Sequence, residues 1–246
     1  MAKNIGPIQF TGKLGGLSGR NTAFGNVIQT PGGFKSERLK NDPIYLKSRQ
    51  CSAEFAHCSK TAALLRQQLL PYLRLLPDPY VYNHIQKRVL AIKDCDPTSP
   101  KGGKTFNKGL STESGEALLR NFSFNRKRQF HFAGISGHCI DIEEGRLTLN
   151  DVNPNMFDYP GTANAIGFQL ILFGVDLSLA ALTTSACFIL KKTDMLTSIS
   201  LEAKIPDAGA FVAVLFIGAC RSAGGTISWM KHESNVLQVV ALGQKL

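Results

Sequence analysis

The chain has 246 residues, 43% of them hydrophobic and 19% charged, with 28 Lys and Arg against 18 Asp and Glu. That composition excludes a disordered polypeptide and suits one large or two small domains with cores of their own. The net charge of +10 points to acidic partners or to acidic regions of the same protein.

The opening stretch MAKNIGPIQF holds neither a long apolar run nor a small-residue cleavage site, so a cytoplasmic protein, or one released without a signal peptide, is expected. Residues 1–50 read as an extended glycine-rich arm, or a hairpin with little core of its own, with glycines at 6, 12, 15, 16, 19, 25, 32 and 33. Its apolar residues are Ile5, Ile8, Phe10, Leu14, Leu17, Phe24, Val27 and Ile28. They are too few and too spread to build a core. Such an arm is expected to add as a strand to a sheet edge, most favourably that of another copy.

Residues 51–111 read as a helical hairpin followed by a basic linker. Phe55, Cys58, Ala62, Leu65 and Leu69 recur at helical spacing, and Pro71 is expected to bend or end that helix. Asp78 and Pro79 suit the start of the next, whose stripe is Val81, Ile85, Val89 and Ile92. Lys87, Arg88 and Lys93 lie off the stripe. The linker TSPKGGKTF (98–106) ends in the Gly-Lys-Thr of a phosphate-binding loop. The motif's first glycine is replaced by Thr98, Pro100 removes an N–H, and the segment follows a helical pattern rather than a strand. A solvated linker is the expectation.

From residue 112 to 246 the period changes to two, predicting an antiparallel β-sandwich. In FSFNRKRQFHF, Phe122, Phe124, Phe130 and Phe132 are placed on one face of a hairpin turning at Asn125–Arg128. CIDIEEGRLTLNDV predicts a second hairpin at Glu144–Gly145. Further strands are expected at 166–176, 186–192, 198–204, 210–220 and 236–242. The apolar run from Ala165 to Leu190 carries one charge, Asp176. Its polar residues Gln169, Thr183, Thr184 and Ser185 favour two strands buried on both faces over a membrane span. The predicted fold is therefore α+β: extended N-terminal arm, helical hairpin, C-terminal antiparallel β-sandwich.

Two N-terminal patterns carry a resemblance. GKLGGLS (12–18), KSERLKNDP (35–43) and AEF (53–55) resemble a group of uncharacterised bacterial proteins with a GxLGGLS opening, a SERxKNDP segment and an AEF helix. The similarity covers about the first 70 residues. It implies a bacterial protein and brings no catalytic residue with it. At SGRNTAFGN the chain departs from the aromatic-rich run usual in that group.

Catalytic patterns are weak. The six cysteines at 51, 58, 95, 139, 187 and 220 form no CxxC pair, so reduced thiols are expected. His57 with Cys58, and His138 with Cys139 and Asp141, lack zinc-ligand spacing. GISGHC is one residue short of a nucleophile elbow, and GKLGGLSG breaks the dinucleotide-binding spacing. Glu143 and Glu144 are adjacent in a turn. No enzyme, metal, cofactor or small-molecule substrate is expected.

The charge divides with the layout. Residues 1–130 hold 21 Lys and Arg against 8 Asp and Glu, and residues 131–246 hold 7 against 10. With the coreless arm and the doubly apolar strands, this predicts a structural protein that polymerises with copies of itself into a filament, sheath or shell, by strand donation and head-to-tail contacts. The alternative is a nucleic-acid-binding protein. Its expected contacts are Lys87, Arg88, Lys93, Lys101, Lys104, Arg126, Lys127 and Arg128.

Overall fold

The computed structural model describes residues 2–6, 8–30, 36–120, 122–131, 135, 137–175, 182–207 and 209–244. By its contacts the chain forms two compact units, Met1–Gln50 and Cys51–Leu246. It contains helices and antiparallel sheets, an α+β protein.

The N-terminal unit is not an extended arm. Strands β1 (Ala2–Lys3), β2 (Gly12–Leu14), β3 (Leu17–Thr22) and β4 (Gly25–Gln29) pair antiparallel in the order β1-β4-β3-β2. Glycines make the turns: Gly15 and Gly25 take φ of 55° and 108°, values that a side chain would strain. Amides replace a core. The buried Asn26 donates to the Phe10 carbonyl at 3.0 Å and to Asn21 Oδ1 at 2.7 Å, and Asn4 donates to the Ile8 carbonyl at 2.6 Å. The backbone groups expected to seek a foreign sheet are thus largely paired at home. Helix α1 (Ser36–Asn41) follows, and Arg49 Nη1 donates to the carbonyls of Leu39 and Asp42 at its end.

The remaining helices are α2 (Leu46–Gln68), α3 (Leu70–Leu73), α4 (Val81–Asp94), α5 (Phe106–Leu110) and α6 (Glu113–Leu119). The break between α2 and α3 falls at Leu69, with Pro71 in the first turn of α3, and Asp78 Oδ1 accepts the Tyr80 N–H ahead of α4. The stripe of α4 is buried as its spacing predicts. That of α2 holds at Cys58, Ala62, Leu65 and the following Leu69, but Phe55 is 54% exposed and Glu54 is buried instead. The reason is polar: Glu54 accepts Lys93 Nζ at 2.8 Å and the Gly102 N–H at 2.6 Å. The period-two region begins later than expected, because 113–119 is helix.

The central sheet is built on β7 (Ala165–Gly174) and β11 (Ala210–Ala223), antiparallel over ten residue pairs. β12 (Thr226–Trp229) and β13 (Val236–Gln244) extend the far edge of β11, and β8 (Thr183–Thr184) and β9 (Phe188–Lys191) extend β7. The turn between β7 and β8 lies mostly outside the described residues. A smaller curled sheet has the order β10-β6-β5, from β5 (Gly137–Asp141), β6 (Arg146–Val152) and β10 (Thr197–Glu202). Gly145 turns the β5–β6 hairpin with φ of 63°.

Alternation along the central strands creates two cores. Ile171, Phe173, Val212, Val214, Phe216, Leu237 and Val239 pack against the helices. Phe168, Leu170, Leu172, Ala213, Leu215 and Ile217 pack against Leu147, Leu149, Ile199 and Leu201 of the smaller sheet. The strands apolar on both faces are therefore covered on both faces within the chain, by helices on one side rather than by a second sheet alone. Among the described residues no helix is long and apolar enough to cross a membrane.

Candidate functional site

The phosphate-loop match resolves into local structure. α4, not a strand, precedes it. The Gly102 N–H is spent on Glu54, and Asp96 Oδ1 accepts the N–H and hydroxyl of Thr98 and the N–H of Ser99. Hydrogen bonds from Ser99 and Thr98 hold the Asp96 carboxyl well below the usual carboxylate range. A phosphate arriving here meets two carboxylates. Thr105 serves as the N-cap of α5, accepting from the Lys108 N–H at 3.4 Å.

The other catalytic patterns stay apart. His57 and Cys58 lie in α2, where burial pushes the Cys58 thiol up. His138 and Cys139 lie on β5, and Asp141 Oδ1 accepts the N–H groups of Glu143 and Glu144 in the hairpin turn. Among the described residues, no three His, Cys, Asp or Glu side chains stand together as metal ligands.

The eight cations expected at a nucleic-acid contact divide into four sets. Lys93 is not available: its side chain is buried between Glu54 at 2.8 Å and Asp94 at 2.5 Å. Burial opposes its charge, but the hydrogen bonds to Asp94 and Glu54 hold its pKa above the ordinary lysine value. Lys101 and Lys104 belong to the linker, where Lys104 Nζ donates to the Asp94 carbonyl at 3.4 Å. Arg128 pairs with Asp158 at 3.2 Å, beside the exposed Lys127.

Lys87, Arg88 and Arg126 come together. Tyr80, Asn83, His84, Gln86, Lys87 and Arg126 line a groove of about 480 Å³. It adjoins a second of about 390 Å³, which shares His84 and Arg126 and adds Arg88 and Arg120 among its walls. Arg88 lies over the Phe122 ring, 4.8 Å from its centroid. Lys87 and Arg126 make no ion pair among the described residues. His84 is one turn before Lys87 and Arg88 on the same helix face, a spacing readable in the sequence. Arg120 ends α6, a helix the periodicity did not reveal.

The turn that carries Arg126 is fixed from below. Asn125 is buried and donates to the carbonyls of Glu233 and Asn235, at 3.1 and 2.8 Å. The Phe124 N–H donates to the Leu237 carbonyl at 2.8 Å, and the Val239 N–H to that of Phe122 at 2.9 Å. This segment makes one bridge to β13, Ser123 to Gln238, rather than a hairpin. Its aromatics do not share a face: Phe122 and Phe124 enter the helix-side core, and Phe130 packs with the opposite core, stacked on Phe157 at 6.3 Å. Phe132 lies outside the described residues.

The N-terminal apolar set is largely unburied. Ile5, Ile8, Leu14, Leu17 and Phe24 are exposed, at 90, 78, 64, 42 and 84%. Phe10, Val27 and Ile28 are half-buried, the ring of Phe10 covering Gly19. No described residue before Cys58 belongs to the buried apolar set.

No protein-family model, curated protein or solved structure matches the chain.

Proposed function

We propose that the chain is a non-enzymatic structural protein that assembles with copies of itself into a filament, sheath or shell, the N-terminal sheet being the surface that seats on a neighbour. One observation carries the reading: among the described residues, the sheet formed within 2–29 contributes no buried apolar side chain, and five large ones in this segment are exposed. A small sheet needs a covered hydrophobic face to persist, and an apolar set of this kind is usual at protein contacts. A second copy suits as the covering partner because residues 1–50 carry eight Lys and Arg against two Asp and Glu, and residues 131–246 are net acidic. Strand donation, in this form, is addition at sheet edges: β2 ends the N-terminal sheet and β5 ends the small curled sheet.

Light scattering and negative-stain microscopy of the full chain test this. Particles well above 26.8 kDa are expected and should persist in salt, since apolar contact survives screening that weakens charge pairing beyond a Debye length of about 8 Å. Replacing Ile8 and Phe24 together by serine should shift the population to monomer. A monomer at all concentrations and salts refutes the proposal.

A further inference from the structure

We propose that the groove along the first half of α4 binds single-stranded nucleic acid, with backbone phosphates on Lys87 and Arg126 and a base on the ring of Tyr80. Lys87 and Arg126 line the groove without acidic partners among the described residues, and Tyr80, 61% exposed, lines it too. Cations beside an open aromatic ring satisfy both parts of a nucleotide. Asn83 and Gln86 add amide donors and acceptors that suit base edges. Arg88 and Arg120 continue the positive surface into the adjoining groove, giving a path for a strand longer than one nucleotide. Open, shallow grooves of about 480 and 390 Å³ leave room for splayed nucleotides. A duplex keeps its bases stacked inside and would leave Tyr80 unused.

Rigidity supports the assignment. The Arg126 turn is tied to β13 and to Asn125's buried hydrogen bonds, so little order is lost when a phosphate binds there. His84 adds a titratable wall shared by both grooves. Burial lowers its pKa, Arg126, Lys87 and Arg88 lower it further, and Asp78 opposes them. A phosphate among these cations offsets part of their field at His84. The imidazole then takes up a proton on binding, and affinity rises as pH falls through the imidazole range.

The test is fluorescence anisotropy of the full chain with a labelled oligothymidylate of about 15 nucleotides, and with a duplex of that length, between about 50 and 200 mM salt. The single strand should bind several-fold more tightly than the duplex, and more tightly at low pH. Lys87→Ala with Arg126→Ala should cost about tenfold or more at low salt and flatten the log affinity against log salt slope by about 1.4. Tyr80→Ala should cost about fivefold and leave that slope unchanged. Lys60→Ala with Lys101→Ala removes equal charge from exposed positions elsewhere, and should change affinity by less than about twofold. Lys87→Gln with Arg126→Gln repeats the charge loss with more of each side chain kept. Absence of binding at low salt, equal affinity for the duplex, or an equal loss in the control pair overturns the proposal. The substitutions lie outside residues 1–50, so particle mass should stay unchanged and a failure here is separable from a failure of self-assembly.

Discussion

Glu54 sits where an apolar side chain would normally face a helix–helix seam, and its neighbours explain it. One carboxylate oxygen accepts Lys93 Nζ and the other the Gly102 N–H, so a single residue ties α2 to α4 and to the linker. The Lys93 hydrogen bond outweighs burial and holds the Glu54 carboxyl below its ordinary value of 4.5. A depressed carboxylate contributes stability above its unfolded pKa and loses it as pH falls through the folded one. Glu54→Gln keeps the shape and removes the charge, leaving Lys93 with Asp94 alone, and should cost about 2 kcal/mol at neutral pH. Urea midpoints of wild type and variant at pH 7 and at pH 3 check this. The gap should narrow below about pH 4.5, and a gap independent of pH would show that the charge is not what matters. Neither Glu54 nor Lys93 was legible as a pair, because they are far apart in sequence and the hydrophobic stripe pointed to Phe55.

At the scale of elements, the central strands were readable from long apolar runs and the hairpin helices from apolar residues at helical spacing. Expected strands at 166–176, 198–204, 210–220 and 236–242 correspond to β7, β10, β11 and β13. α5 and α6 were hidden by their glycines. A β-carbon on Gly109 would stand 1.9 Å from the Ile92 carbonyl oxygen, and one on Gly115 would stand 1.9 Å from that of Gly109. These glycines let the short helices α5 and α6 approach α4 and each other with their backbones almost touching, so FNKGLSTESGE imitates a loop while serving as packing. In an isolated helix Gly109→Ala would gain about 1 kcal/mol of propensity. Here the obstacle is backbone that cannot swing aside, and the net effect should be a loss of about 2 kcal/mol, seen as a melting midpoint lower by about 5 °C. A neutral or stabilised variant would mean the crossing is looser than described. The N-terminal strands were misread for the opposite reason. Their glycine and asparagine content has no apolar period, and the amide network of Asn4, Asn21 and Asn26 that organises them is a tertiary feature.

For the molecule as a whole, the two units differ in what holds them. The larger unit has two apolar cores on either side of one central sheet, and every residue in both cores lies at Cys58 or beyond. The N-terminal unit has hydrogen bonds and turns but no buried apolar side chain among its described residues. The strands apolar on both faces, legible in the sequence as a reason for assembly, are satisfied by the chain's own helices and smaller sheet. Assembly is favoured instead by the exposed N-terminal residues and the charge division. Removing residues 1–29 should therefore separate folding from association. The shortened chain keeps both cores and should melt cooperatively, with a midpoint within a few degrees of the full chain, while its mass in solution falls to that of a monomer. It also keeps Tyr80, Lys87 and Arg126, so oligothymidylate affinity per chain should stay within about threefold, since distant sites act independently. Calorimetry, light scattering and anisotropy on one preparation read all three. If the shortened chain assembles as the full chain does, the contact surface lies on the larger unit. If it fails to melt cooperatively, the N-terminal sheet belongs to the fold, and its apolar side chains are covered by the protein itself rather than by a neighbour.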